Sequence, residues 1–162
     1  MKKYLLLLVF LCGCIGTTYA QKGESAIGFN LNYGDDTNLG LGIKYRYSFT
    51  DNWRIEPAFN YYFKHDYLSM WDLGANVHYL FPVAPQVSLY PLGGVSYSCA
   101  TAHLASWGEG WHNVHDGNIG INLGGGVDFK VAPTVKLNLE LKYQIVDSRN
   151  QLILSAGASF AF

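Results

Sequence analysis

The side chains of this 162-residue chain that are able to do chemistry fall into two groups. The first is a set of charges that all sit at even-numbered positions: Lys44, Arg46, Arg54, Glu56, Asp72, Asp128, Lys130, Lys136, Glu140 and Lys142. Cations and carboxylates spaced this way suit two roles, lining a channel or closing one with ion pairs. The second group lies in ATAHLASWGEGWHNVHDGN, residues 100–118, which gathers His103, His112 and His115 with Glu109 and Asp116. Imidazoles and carboxylates are transition-metal ligands. Their spacing matches no compact metal motif, so the expectation is a solvated loop, with no metal and no cofactor. Trp107 and Trp111 in the same stretch are of the residue type enriched at binding surfaces, which makes 100–118 the candidate site for an extracellular or envelope ligand.

Catalysis finds little support. No HExxH, GxSxG, Walker or dinucleotide pattern occurs. His103 and Ser106 are the nearest approach to a base and nucleophile, and on a strand residues three apart point to opposite faces. His78 reads as a hydrogen-bonded interior residue rather than a ligand. The expectation is that the protein is not an enzyme.

The elements that must position these residues are strands. From Glu24 onward the hydropathy period is two, and no helical pattern lasts more than a turn. Eight segments alternate, beginning at Ile27, Leu39, Trp53, Trp71, Val87, Ile119, Val135 and Leu152, the last ending at Phe162. On the greasier face of each, every position is apolar except Pro57, Pro91, Gly93 and Gly125. Tight turns are expected at Thr50 to Asn52, Pro82 to Pro85 and Val131 to Pro133. Longer loops are expected at Gly34 to Asn38, Lys64 to Ser69, Ala100 to Asn118 and Asp147 to Asn150. Short turns at one end and longer loops at the other make an eight-stranded antiparallel up-and-down barrel.

The start, MKKYLLLLVFLCGCIGTTYA, has a basic n-region, a short apolar run and small residues before Ala20, the pattern of a secretory signal peptide. The expected domains are a cleaved signal, 1–20, and a barrel, 21–162. Cys14 in Leu11-Cys12-Gly13-Cys14 offers a competing lipoprotein reading. With Lys2 and Lys3 gone, the 11 basic residues fall to nine against 12 acidic ones, which excludes a basic nucleic-acid footprint. Two of three cysteines leave with the signal, so Cys99 has no internal disulfide partner.

Periodicity alone does not say which face is inside. An eight-stranded barrel has room for its own side chains or one small ligand, too little for a full set of Leu, Ile, Tyr and Phe. The polar face also carries nine glycines (Gly28, Gly40, Gly42, Gly74, Gly94, Gly120, Gly124, Gly126 and Gly157) beside the long charged residues. Glycine weakens a strand facing water but makes space in a crowded interior. The greasy face must then meet lipid, which a closed barrel alone among sheets can do. Tyr47, Phe49, Trp53, Tyr79, Phe81, Phe129, Phe160 and Phe162 cluster at the short-turn end, and Tyr33, Tyr61, Phe63, Trp71, Tyr97 and Tyr143 at the loop end. Two such rings are interfacial girdles.

With these features the chain resembles the small eight-stranded outer-membrane proteins, the OmpX-like and OmpA-transmembrane-domain-like barrels grouped as porin-family outer membrane β-barrels. The resemblance spans about Glu24 to Phe162, and its sharpest piece is the ending LSAGASFAF. In that family a terminal aromatic preceded by alternating apolar residues is read by the barrel-assembly machinery, which Phe160 and Phe162 match. The resemblance implies the outer membrane of a Gram-negative-type bacterium, with lipid and the assembly machinery as partners. The leading expectation is a structural or surface-interaction, adhesin-like barrel whose interior is plugged by its charges. A narrow porin for small solutes and a lipid-modifying enzyme are the alternatives.

Overall fold

Strands whose alternate residues suit different media settle into a sheet with one face in each medium, and here the sheet closes on itself. The computed structural model describes residues 22–35, 38–65, 68–104, 112–147 and 150–162. Among them run β1 (Ser25–Gly34), β2 (Asn38–Ser48), β3 (Trp53–His65), β4 (Leu68–Tyr79), β5 (Phe81–Ala84), β6 (Val87–Leu104), β7 (His112–Ala132), β8 (Val135–Val146) and β9 (Gln151–Ala161). All pairings are antiparallel, and β1 pairs with β9 from Ala26↔Ala161 to Gly34↔Ile153, closing the barrel. Strand β5 continues β4 after a break at Leu80, whose N–H turns to the carbonyl of Asn52. Both strands pair with β6, so nine strands build eight staves.

The sidedness is that of a protein turned inside out. Phe29, Leu31, Leu41, Ile43, Leu73, Leu123, Leu139 and Leu154 point outward and are exposed, while Lys44, Arg46, Glu56, Asp72, Asp128 and Glu140 are buried. The buried apolar residues that touch one another, Leu80, Tyr90 and Leu92, form a small cluster inside. Trp53 meets Tyr79 edge-on at 4.9 Å and Tyr79 meets Phe81 at 4.6 Å at the short-turn end. Trp71 lies 5.9 Å from Tyr97 and 6.1 Å from Phe59 toward the loop end.

Several connections are shorter than expected, Lys64 to Ser69 among them, where His65 pairs with Leu68. The Pro82 to Pro85 turn is shorter: Pro82 pairs with Ser88 and Ala84 with Val87, leaving Pro85 and Gln86 as the turn. Ala132 likewise pairs with Val135, leaving Pro133 and Thr134. In both places the antiparallel ladder runs closer to the proline than composition suggests. The larger correction concerns Ala100 to Asn118. Its two ends are not loop: β6 and β7 stay paired from Val87↔Phe129 up to Leu104↔His112, and 105–111 lie outside the described residues. The sequence of these stretches mixes His, Asn, Asp and Thr with Ala, Leu and Val, so no run of apolar alternation marks them as strand.

Candidate functional site

The interior side chains sort by height into two layers. Toward the short turns lies a charged layer built on β2, β3, β4, β6, β7 and β8. Arg46 donates Nε to Glu56 Oε2 at 2.6 Å and Nη1 to Asp128 Oδ1 at 3.1 Å. Arg54 takes the other oxygen, Asp128 Oδ2, at 2.6 Å. Lys44 Nζ sits 3.6 Å from Glu56, and with the Asn138 amide turned to satisfy both its atoms, it donates to that carbonyl at 3.0 Å. Ser159 accepts from Arg46 Nη1 at 3.1 Å, tying the layer to the closing strand. Two anions therefore serve three cations. That sharing offsets the burial of these charges, since an unpaired buried ion is costly.

His78 and Tyr90 complete the layer. Arg54 donates to His78 Nδ1 from Nε at 3.2 Å and from Nη2 at 2.9 Å. The imidazole stacks on the Tyr90 ring at 4.6 Å and 11°, and the Arg54 guanidinium lies 4.9 Å above the same ring. The Tyr90 hydroxyl donates to Glu140 Oε2 at 3.2 Å. Lys142 is buried in the wall above Glu140. Lys136 pairs with Glu24 near the rim, and Lys130 is half-buried beside it on β7.

Toward the loops the described interior side chains are mostly amides and hydroxyls. Asn32 donates to Asn60 Oδ1 at 2.7 Å, and Asn60 to Asp72 Oδ1 at 2.6 Å. The Ser155 hydroxyl donates to Asn32 Oδ1 at 2.6 Å. On the other side Gln144 donates to Ser96 Oγ at 2.7 Å, Ser96 to Asn122 at 3.2 Å, and Asn122 to Asn76 at 3.0 Å. Asp72 thus belongs to an amide layer, and among the described residues it is held by Asn60 and Tyr62. This layer escaped the sequence reading, which weighed charge alone. The signal was present, since Asn30, Asn32, Asn60, Asn76, Asn122 and Gln144 share the parity of the inward charges.

The site residues expected in 100–118 fare differently. His103 pairs in register with Asn113, His112 with Leu104 and His115 with Thr101, so all three stand on paired strands. Trp107 and Trp111 lie outside the described residues, as do Ser106, Glu109 and the leader with Cys14. Phe160 pairs with Ile27 on one side and Val135 on the other. Phe162 donates its backbone N–H to Ser25 at 2.9 Å with its ring exposed.

Above the barrel the rim is uneven. The β7–β8 register stops at Gly120↔Val146 and the β2–β3 register at Gly40↔Tyr62, whereas β6 and β7 pair on to Leu104↔His112 and β4 pairs β6 to Leu68↔Ala102. From His112 to Ile119 this adds roughly 25 Å of strand at about 3.3 Å per residue. Among the described residues no strand lies against this part of β7 on its β8 side.

Comparison with known proteins agrees with this geometry. The family model described as the outer membrane protein beta-barrel domain matches residues 5–162. A search of curated proteins gives no match. Among solved structures, the N-terminal β-barrel domain of Pseudomonas aeruginosa OprF superposes with a TM-score of 0.67 at 16% identity, over 87% of this chain and 98% of that one. The attachment invasion locus protein Ail of Yersinia pestis gives 0.61 at 22%, over 87% and 99%. Neisserial surface protein A gives 0.68 at 18%, over 86% and 96%. Ail has also been solved with the heparin analogue sucrose octasulfate. At these identities the likeness is one of fold.

Proposed function

The chain belongs to the outer membrane protein β-barrel domain family, and from that premise we propose that it is a non-conducting surface-interaction barrel of a Gram-negative-type outer membrane. Export runs through a cleaved signal at residues 1–20, and assembly uses the Phe160–Phe162 ending. The interior acts as a plug and as a stiffener of the wall. The binding element is the ledge formed by the outer parts of β6 and β7.

One observation carries this reading: β6 and β7 remain hydrogen-bonded beyond the barrel rim, where no lipid contact requires strand. A transmembrane stave needs only about 9–11 residues, and β7 spans 21. A strand edge presents a row of backbone N–H and C=O groups, a template onto which an extended peptide adds as a further strand. The outer edge of β7, from His112 to Gly117, fits an extended segment of a host or envelope protein. That Ail, a barrel of similar fold, has been solved with the heparin analogue sucrose octasulfate supports a ligand-binding role.

Two measurements on the same preparations test the proposal. Planar-bilayer recordings of the folded barrel should show no stable conductance steps. Cells displaying the full chain should adhere to immobilised matrix proteins, and cells displaying a barrel in which 103–113 is replaced by a tight turn should not. An ion-selective open channel, with adhesion unaffected by the truncation, overturns the reading in favour of a narrow porin.

A further inference from the structure

Glu56, His78 and Glu140 come together in the charged layer, with one ligand atom from each lying within 4.8 Å of the other two. All three are buried, His78 completely. Such a cluster invites a metal, and the imidazole decides against one. Arg54 directs two N–H donors at His78 Nδ1, and a guanidinium is always a donor. Nδ1 must therefore accept, which puts the ring hydrogen on Nε2 and removes the lone pair a metal would need. Among the described residues the Nε2–H has no hydrogen-bond partner, and the nearest carboxylate oxygen, Glu56 Oε1, is 3.9 Å away. That distance is too long for a direct bond.

We propose that Glu56, His78 and Glu140 form a binding site for a single ordered water that accepts from His78 Nε2–H and donates to one oxygen of each glutamate. The stereochemistry matches without remainder: one donor meets one lone pair, and two acceptors meet two O–H groups. Three atoms at most 4.8 Å apart can each lie about 2.8 Å from a common point, the length of a water hydrogen bond. Buried waters characteristically make about three such bonds to groups otherwise unsatisfied. The carboxylates explain the choice of water over an anion, and the Nε2–H explains the choice of water over a cation. The second glutamate is kept in place from behind by the Tyr90 hydroxyl. The inference rests on the closed interior proposed above, since an open pore would exchange this water with bulk.

The test uses the folded barrel in nanodiscs, 15N-labelled at histidine, in a variant that keeps only His78 of the five histidines. The other four are replaced by glutamine. The expected result is a neutral ring protonated at Nε2, with a cross-peak from that proton to a water exchanging far more slowly than bulk, unchanged on adding Zn2+. A ring protonated at Nδ1, an Nε2–H without a water contact, or a shift on adding Zn2+ overturns the proposal. Conductance of the same sample separates two failures. A dry Nε2–H in a non-conducting barrel refutes this site alone, whereas bulk-exchanging water in a conducting barrel refutes the closed interior with it.

Discussion

Arg46 and Glu56 meet across neighbouring strands at 2.6 Å, with both side chains almost wholly withdrawn from solvent. Glu56 has Lys44 as a second cation, so this carboxylate holds two positive charges in place. Replacing it with glutamine leaves Lys44 without its carboxylate and Arg46 with Asp128 alone. Breaking a buried pair from one side costs about 3–5 kcal/mol. Glu140 instead accepts from the neutral Tyr90 hydroxyl, a bond that a glutamine carbonyl can also accept, so its loss should cost about 1–2 kcal/mol. The expected order is therefore Glu56→Gln well below Glu140→Gln in unfolding midpoint, measured by denaturant titration in detergent. Conductance should stay absent in both. Equal midpoints would mean that the charged layer is solvated like a pore lining.

Gly93 and Gly94 are adjacent and face opposite ways, which makes them a test of sidedness. A methyl group on Gly94 would lie 2.3 Å from the carbonyl oxygen of Ala75 and 2.7 Å from Asn76 Cα, both backbone atoms that cannot step aside. On Gly93 it would meet only the Leu123 side chain, at 3.9 Å. Gly94→Ala should destabilise by about 1–3 kcal/mol through overpacking. Gly93→Ala should be neutral or gain up to about 1 kcal/mol by restricting the unfolded chain. The same denaturant titration reads both, and a reversed order would contradict the inward-outward assignment of β6.

Closure of β1 onto β9 leaves no strand edge in the apolar band. A folded barrel of this kind should resist SDS until boiled, because the detergent can bind the outer surface without finding unpaired backbone. Gel mobility should shift on boiling, and circular dichroism should show strand without helix. Unshifted mobility would be incompatible with a closed ladder.

How much of this was legible in the sequence depended on the solvent each face meets. Where one face meets lipid and the other a packed interior, as along β8 from Val135 to Val146, alternation is complete and fixes both strand and orientation. Where both faces of a strand meet the same medium the contrast vanishes, and the outer halves of β6 and β7, whose sequence carries no such alternation, read as loop. The charged positions Arg46, Arg54, Glu56 and Asp128 were recognisable as inward by parity. Which of them pair was not, because Arg46 reaches Asp128 from 82 positions away in the chain, a contact set by barrel closure. The division into a charged layer and an amide layer has the same origin: height in the barrel follows from register, and register between distant staves cannot be read from either one.

Phe162 separates folding from recognition. Its ring is 76% exposed, the highest value among the large apolar side chains described, so it contributes little packing to the barrel itself. Its backbone does more, donating to the carbonyl of Ser25 at 2.9 Å at the very edge of the β1–β9 seam. Deleting Phe162 removes that one bond, worth about 0.5–1.5 kcal/mol, from a seam that otherwise runs from Ala26↔Ala161 to Gly34↔Ile153. Refolding into detergent should therefore proceed to nearly the same yield. If the ring is read by an assembly factor, the consequence in cells is of another size: the level of folded protein in the outer membrane should drop severalfold, and Phe162→Tyr should restore it while Phe162→Ser does not. Phe162→Ser keeps the backbone bond and loses only the aromatic ring, so its failure to restore isolates recognition from stability. Equal outer-membrane levels for the deletion and the full chain would reduce the ending to ordinary strand.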